Sequence, residues 1–305
     1  MNMRIGIVLG QSGGFGDAIP ALDAEYRQAV AAGFSSVWMT QHLGFEALTL
    51  MASWGPEGPE LGTAVVPVQT RHPVTLAEQA VTTQSLTGGR LTLGLGLAHA
   101  ATLESLYGLP RRRSVSYLAD YVSALQSLMA GEKTVPSDSF GMTVGLAGQL
   151  PEAPSILLAA LGPRMLELAG ARTAGTITWI TGAATLAGYI APTIRAAADA
   201  AGRGEPRIVA CLPVCITSDV DDARQRVGAA MNAYNGVPSY RAMLDREGAA
   251  HPVDIAIIGS EQHVQEAVAN LLSGGATDVV AIPVGTPDER DITRATLGEM
   301  ALRNG

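Results

Sequence analysis

Apolar residues fall along this chain in short β-rich runs separated by longer stretches with helical spacing. The runs at 4–9, 35–39, 62–68, 91–97, 155–159, 175–179, 207–217 and 278–282 read as buried strands. Helices are predicted from about Pro20 to Ala32, over 73–86, 114–129 and 165–171, up to Ala201, from Asp219 to about Tyr234, from Ser260 to Leu272, and over 288–303. Their boundaries carry chemical signals. Pro73 opens one helix, Gly33 closes another, and Asp219 and Ser260 stand as caps. The densest stretch, 61–99, is one strand–helix–strand unit, the building block of a parallel sheet.

Strands and helices alternate about eight times, which predicts a single (β/α)8 TIM barrel with insertions spanning residues 1–305. A doubly wound dinucleotide fold fits less well. The turn from Gly10 to Gly16 has no helix starting at its last glycine, and no acidic residue ends the second strand. Three departures from the plain alternation are expected: a long loop at 98–113, a small hairpin at 133–146 and an extra helix at 238–247.

Composition narrows the function. The 305 residues are 47% hydrophobic and 16% charged, with a net charge of −8. No basic patch is long enough to follow a phosphate backbone, so nucleic acid is not an expected partner. No run approaches a membrane span and the first residues are too short for a signal peptide, so a cytoplasmic protein is expected. Cys211 and Cys215 share strand parity but lie too far apart for an ordinary bridge; they read as buried thiols.

The five histidines, His42, His72, His99, His251 and His263, are scattered without ligand spacing, so no metal site is expected. No Gly-x-Ser-x-Gly elbow follows a strand, and carboxylates are nearly absent from the strand C-termini. What gathers there is apolar or uncharged: Thr40, His42, Ala64, Val65, Val66, Gly94, Leu95, Gly96, Leu97, Ala98, His99, Ala160, Leu161, Gly162, Trp179 and Thr181. Such a face suits a large, flat, apolar cofactor that carries the chemistry itself. His42 reads equally as a proton-transfer group or as a loop histidine capping a carbonyl. Gly162-Pro163-Arg164 opens a helix with free N–H groups beside a cation, either a phosphate seat or a simple helix start.

Four stretches carry a family pattern: Ala32-Gly33-Phe34-Ser35-Ser36-Val37-Trp38 followed by His42; Leu61-Gly62-Thr63-Ala64-Val65-Val66-Pro67 with Arg71-His72-Pro73; Gly88-Gly89-Arg90-Leu91 through Gly94-Leu95-Gly96; and 159–170. Together they resemble the luciferase-like flavin- and deazaflavin-dependent oxidoreductases, in the branch that uses coenzyme F420. The resemblance implies an insertion-bearing barrel holding the cofactor ring near the strand C-termini, against Thr40, Ala64, Val65, Val66, Gly96, Leu97 and Ala98. It implies a non-prolyl cis bond in a bulge at Ala64–Val65 and a phosphate turn at Ala160, Leu161, Gly162, Pro163 and Arg164. His42 and His99 take the proton-handling positions, and Tyr107 and Trp179 would shape the substrate pocket.

Three departures from the family pattern refine this picture. His99 stands where some F420-dependent dehydrogenases hold a glutamate, and Glu46 where that subgroup has a tryptophan. Leu97 replaces the phosphate-binding arginine of luciferases proper, which speaks against FMN. The reaction implied is hydride transfer between F420 and a small organic substrate, unsaturated or bearing a carbonyl or alcohol. The alternatives are an FMN-dependent monooxygenase, which would need a flavin reductase as partner, and a non-catalytic flavin-binding barrel. Homodimers are common in the family resembled.

Overall fold

The computed structural model describes residues 3–10, 19–41, 44–98, 100–110 and 115–304. Ten strands form one parallel sheet: β1 (Arg4–Val8), β2 (Ser36–Met39), β3 (Glu60–Thr63), β4 (Val66–Pro67), β5 (Leu91–Gly96), β6 (Ser155–Ala159), β7 (Gly175–Trp179), β8 (Arg207–Ile216), β9 (Ile257–Gly259) and β10 (Asp278–Pro283). The order runs β10-β1-β2-β3-β5-β6-β7-β8, and β10 pairs again with β8, closing an eight-stave barrel. β4 continues the third stave, and β9 extends the upper part of β8.

The helices are α1 (Ile19–Ala31), α2 (Ala47–Ala52), α3 (Pro73–Leu86), α4 (Ala100–Tyr107), α5 (Val115–Met129), α6 (Pro163–Arg172), α7 (Ala183–Thr185), α8 (Ala191–Ala200), α9 (Val220–Met231), α10 (Pro238–Glu247), α11 (Glu261–Ser273) and α12 (Pro287–Asn304). A π turn, Leu186–Ile190, joins α7 to α8. The caps fall where the sequence puts them. The Asp219 carboxylate accepts from Asp222 N at 3.2 Å and the Ser260 hydroxyl from His263 N at 3.3 Å.

Alternation along each strand sorts side chains into two layers. Val8, Trp38, Leu157, Ile177, Val209, Cys211, Val280 and Ile282 fill the barrel. The opposite parity, with Ile5, Ile7, Val37, Leu93 and Leu158 among others, packs against the helices. Trp38 lies across the interior, its indole N–H donating to Ser36 Oγ at 2.8 Å. It fits because Gly62 has no side chain: a Cβ there would fall inside the indole ring.

The N-terminal end of the barrel is closed by charge. Arg207 bonds Asp278 at 2.7 Å and Glu60 at 2.6 Å; Arg4 bonds Asp278 at 2.7 Å and also reaches Glu60. Burial by itself would raise the Asp278 carboxyl, but the hydrogen bonds and charge of Arg207, helped by Thr277 and Arg4, hold it below the usual range.

Three expectations need correction. The run 62–68 is not one strand: it breaks between Thr63 and Val66. Gly62 pairs with Thr92 and Val66 with Leu95, so the third stave spends one residue more than its neighbour, a bulge. The segment 133–146 forms no strands. Its arms are tied by Thr134 N–H to Val144 O at 2.9 Å and by the Thr134 hydroxyl to Met142 O at 2.9 Å, around a turn from Ser137 to Phe140. Pro136 and Gly141 supply no ladder there; instead Phe140 packs on His72, Tyr117 and Tyr121. The loop at 98–113 contains α4, pinned by the fully buried Leu103.

Candidate functional site

At the C-terminal end the staves open into a cavity of about 720 Å³. That is the size of a small-molecule or cofactor site. Its wall on the β2–β6 side consists of Thr40, Gln41, Ala64, Val65, Gly96, Leu97, Ala98 and Ala159. Apart from Gln41 these residues are small or apolar, so most of the wall is smooth. Gly96 is needed for it: a Cβ there would come within 2.7 Å of Val65 Cγ2 and 3.3 Å of Ala159 Cβ. The peptide bond between Ala64 and Val65 is cis, at the bulge, as the resemblance implies.

Polar side chains in and behind this wall fix the loops. Gln69 Oε1 accepts from Ala98 N at 3.1 Å, and Gln41 Oε1 from Ala47 N at 2.9 Å. Glu46 caps α2 through Leu48 N and Thr49 N, and Arg71 pairs with it at 2.9 Å. Burial would raise the Glu46 carboxyl; the bonds from Thr49, the Arg71 charge and the Leu48 N–H pull it below the ordinary value.

One end of the cavity is formed by Leu161, Gly162 and Met165, where α6 begins. Gly162 is the N-cap of α6 and provides no side-chain cap; Pro163 follows at the first helical position. A Cβ on Gly162 would meet nothing within 4 Å, so the helix N-terminus stands open. On the β7 side Trp179 faces the cavity, edge to face with Tyr234 at 6.0 Å. Trp179 Nε1 is buried and makes no well-formed hydrogen bond among the described residues, although the Tyr234 hydroxyl lies close enough to interact with it. The next residue, Ile180, is fully buried with φ of 53°, a conformation rare for a β-branched side chain.

Cys211 also lines the cavity, and Cys215 lies beneath Gly285. Burial pushes the Cys211 thiol up to about 12 and, with Glu289 nearby, Cys215 to about 11. Both are free, buried and protonated at neutral pH, hence poor nucleophiles. Burial also raises the Tyr234 phenol.

Of the residues singled out from sequence, Thr40, Ala64, Val65, Gly96, Leu97, Ala98, Tyr107, Leu161, Gly162 and Trp179 come together around this one space. Val66 and Ala160 are fully buried behind the wall, their side chains turned into the helical layer. Pro163 and Arg164 are exposed at the start of α6 and do not line the cavity. His42 and His99 lie outside the described residues; each follows a wall residue in the chain, Gln41 and Ala98. The sequence reading missed the wall formed after β8 and β10, where Arg226, Tyr234, Tyr240 and Arg290 line the cavity. Those residues sit on helices whose polar periodicity looks like any solvent-facing helix. Among the described residues no group of three or more His, Cys, Asp or Glu gathers, and no helix is long and apolar enough to cross a membrane.

A closed barrel with a largely apolar cavity at its C-terminal mouth is the arrangement of a cofactor-using α/β-barrel enzyme. The chain belongs to the luciferase-like monooxygenase family, whose description matches residues 3–290. It is 28% identical over 269 residues to the 5,10-methylenetetrahydromethanopterin reductase of Methanolobus tindarius, covering 84% of this chain and 80% of that protein. Its fold superposes on the coenzyme F420-dependent tetrahydromethanopterin reductase from Methanopyrus kandleri with a TM-score of 0.80, at 18% identity and over 99% of both chains. It superposes on the oxygenating constituent of 3,6-diketocamphane monooxygenase from Pseudomonas putida, in complex with FMN, with a TM-score of 0.77, at 15% identity over 100% of this chain and 98% of that one. At those identities the two structures attest the shared fold.

Proposed function

We propose that this chain is a coenzyme F420-dependent oxidoreductase acting on a small organic substrate, unsaturated or bearing a carbonyl or alcohol. The observation that carries the reading is the cavity: a smooth apolar wall from Thr40 to Ala159 that runs to the uncapped N-terminus of α6. A planar ring fits such a wall, and a phosphate fits such a helix start. The relative from Methanolobus tindarius supports a reductase role.

When bound, F420 would supply or accept the hydride. The chain's own residues do the rest. Ala64, Val65, Gly96 and Ala98 would hold one face of the ring, and Gly162 with the first N–H groups of α6 would take its phosphate. The hydride must be matched by one proton when a carbonyl becomes an alcohol. His42 and His99, next in sequence to the wall residues Gln41 and Ala98, are assigned to donate or accept it. The orphaned Trp179 N–H is a donor for a substrate oxygen, and Tyr107 flanks the same space. Apolar surroundings exclude water and strengthen each such bond.

The test is a fluorescence titration of the purified chain with F420 and, separately, with FMN. Micromolar binding of F420 and much weaker binding of FMN is expected. The reverse order would replace this reading with an FMN-dependent monooxygenase served by a reductase, for which the camphane-oxygenase fold match speaks. Binding of neither would favour a non-catalytic barrel. In the F420 case, His42→Ala should lower kcat by about 10²-fold or more while leaving the F420 Kd unchanged.

A further inference from the structure

The cavity wall opposite the small residues is charged. Arg226 of α9 and Arg290 of α12 both line it. Their situations differ. Arg226 is compensated twice, by Asp222 at 3.0 Å and Glu289 at 2.9 Å. Glu289 is in turn committed: it also accepts from Thr286 N at 2.7 Å, closing the first turn of α12. Arg290 gives one N–H to Gly285 O at 2.9 Å and meets no carboxylate among the described residues. The Nε atoms of both arginines are buried without an acceptor among the described residues.

A guanidinium on a cavity wall with a buried, unspent donor and no counter-charge among the described residues is matched by a ligand oxyanion and mismatched by a neutral ligand. The open N-terminus of α6 is a separate anion seat, after β6; Arg290 lies three staves further round the barrel, past Trp179. The two seats can therefore serve two molecules.

We propose that Arg290, which follows the paired Glu289 in α12 and is held by its bond to Gly285 O, binds an oxyanion on the substrate, so that the substrate is a small organic acid or phosphate ester. Its anionic end would sit at α12 and its reacting carbon toward the smooth wall. This rests on the reading of the cavity as a cofactor-and-substrate site.

The test compares three probes of one chain length, octanoate, octyl phosphate and neutral octanamide, by calorimetric titration of the full chain with and without F420. At least one acid should bind about tenfold tighter than the amide, and which acid does so separates carboxylate from phosphate. Arg290→Gln should abolish that preference while the F420 Kd stays within about twofold, and Arg290→Lys should keep part of it. Equal binding of acids and amide by the unaltered chain overturns the proposal without any variant. So does an Arg290→Gln chain that keeps the preference, or one whose F420 affinity falls with it, since the arginine would then serve the cofactor. A failure of the unaltered chain to bind F420, with the Arg290-dependent acid preference intact, would remove the cofactor reading and leave the anion site standing.

Discussion

The two ends of the barrel treat polar groups in opposite ways. At the N-terminal end Arg4, Arg207, Glu60 and Asp278 form a closed set in which each charge has two partners. At the C-terminal end Trp179, Arg226 and Arg290, all on the cavity wall, each leave a buried N–H without an acceptor among the described residues; Arg71, Gln79 and Arg294 leave a buried polar atom unpaired away from that wall. Both ends lie in one closed barrel. Buried polar groups in folded proteins are normally satisfied, so the contrast is between a closed charge cluster and a cavity wall whose unspent donors are the ones placed beside a ligand.

The sharpest way to break that contrast is to cut into the closed end. Asp278→Ala leaves Arg207 short of its main partner in a buried setting and should cost about 3–5 kcal/mol in urea unfolding, with F420 affinity of the folded fraction unchanged. A loss under 1 kcal/mol would mean that the cluster is ornamental. Acid gives the same answer by linkage. The Asp278 carboxyl is held below its unfolded value, so its contribution is complete above an unfolded pKa of about 3.9 and is lost as pH falls through the lower folded value. The stability gap between the unaltered chain and Asp278→Ala should therefore be constant near neutrality and close below about pH 4.

A smaller effect tests the layer above. Gly62→Ala puts a methyl group where the Trp38 ring lies, and the ring is packed on all sides. Overpacking of this kind should cost about 1–3 kcal/mol. Unchanged stability would show that Trp38 can move aside and that the interior is looser than its burial indicates.

These two ends were unequally legible in the sequence. The alternation of apolar runs and capped helices marked the eight staves, because a parallel barrel buries both faces of each strand and leaves short, nearly continuous hydrophobic runs. The smooth wall was legible too, since Ala64, Gly96 and Ala98 are small residues at strand ends. Arg226 and Arg290 were not. They lie in the first two turns of helices whose outer faces are polar, and only tertiary placement shows that these arginines turn toward the cavity. The break in the third stave was legible through family pattern alone, because nothing in the apolar run Ala64-Val65-Val66 signals a bulge. The closed charge cluster was hidden for another reason: Arg4, Glu60, Arg207 and Asp278 sit at strand starts scattered over the whole chain, and barrel closure alone brings them together.

The finest test concerns the Trp179 N–H and the Tyr234 hydroxyl, which lies close enough to interact with it. If the donor is held for a ligand, Trp179 and Tyr234 are coupled only through their rings. Changing each to Phe keeps a ring on both sides and removes the polar atoms, so the double-mutant cycle reports the N–H···O pair together with a small change in ring contact. Trp179→Phe shrinks the side chain into an existing cavity and seals no new void, so its own cost should stay under about 1 kcal/mol. The coupling between Trp179→Phe and Tyr234→Phe should be below about 0.5 kcal/mol in the chain without cofactor. A coupling of 1 kcal/mol or more would show that the indole is spent on the protein. The C-terminal end would then be partly self-satisfied like the other, and the substrate oxygen would have to find its donor elsewhere in the cavity.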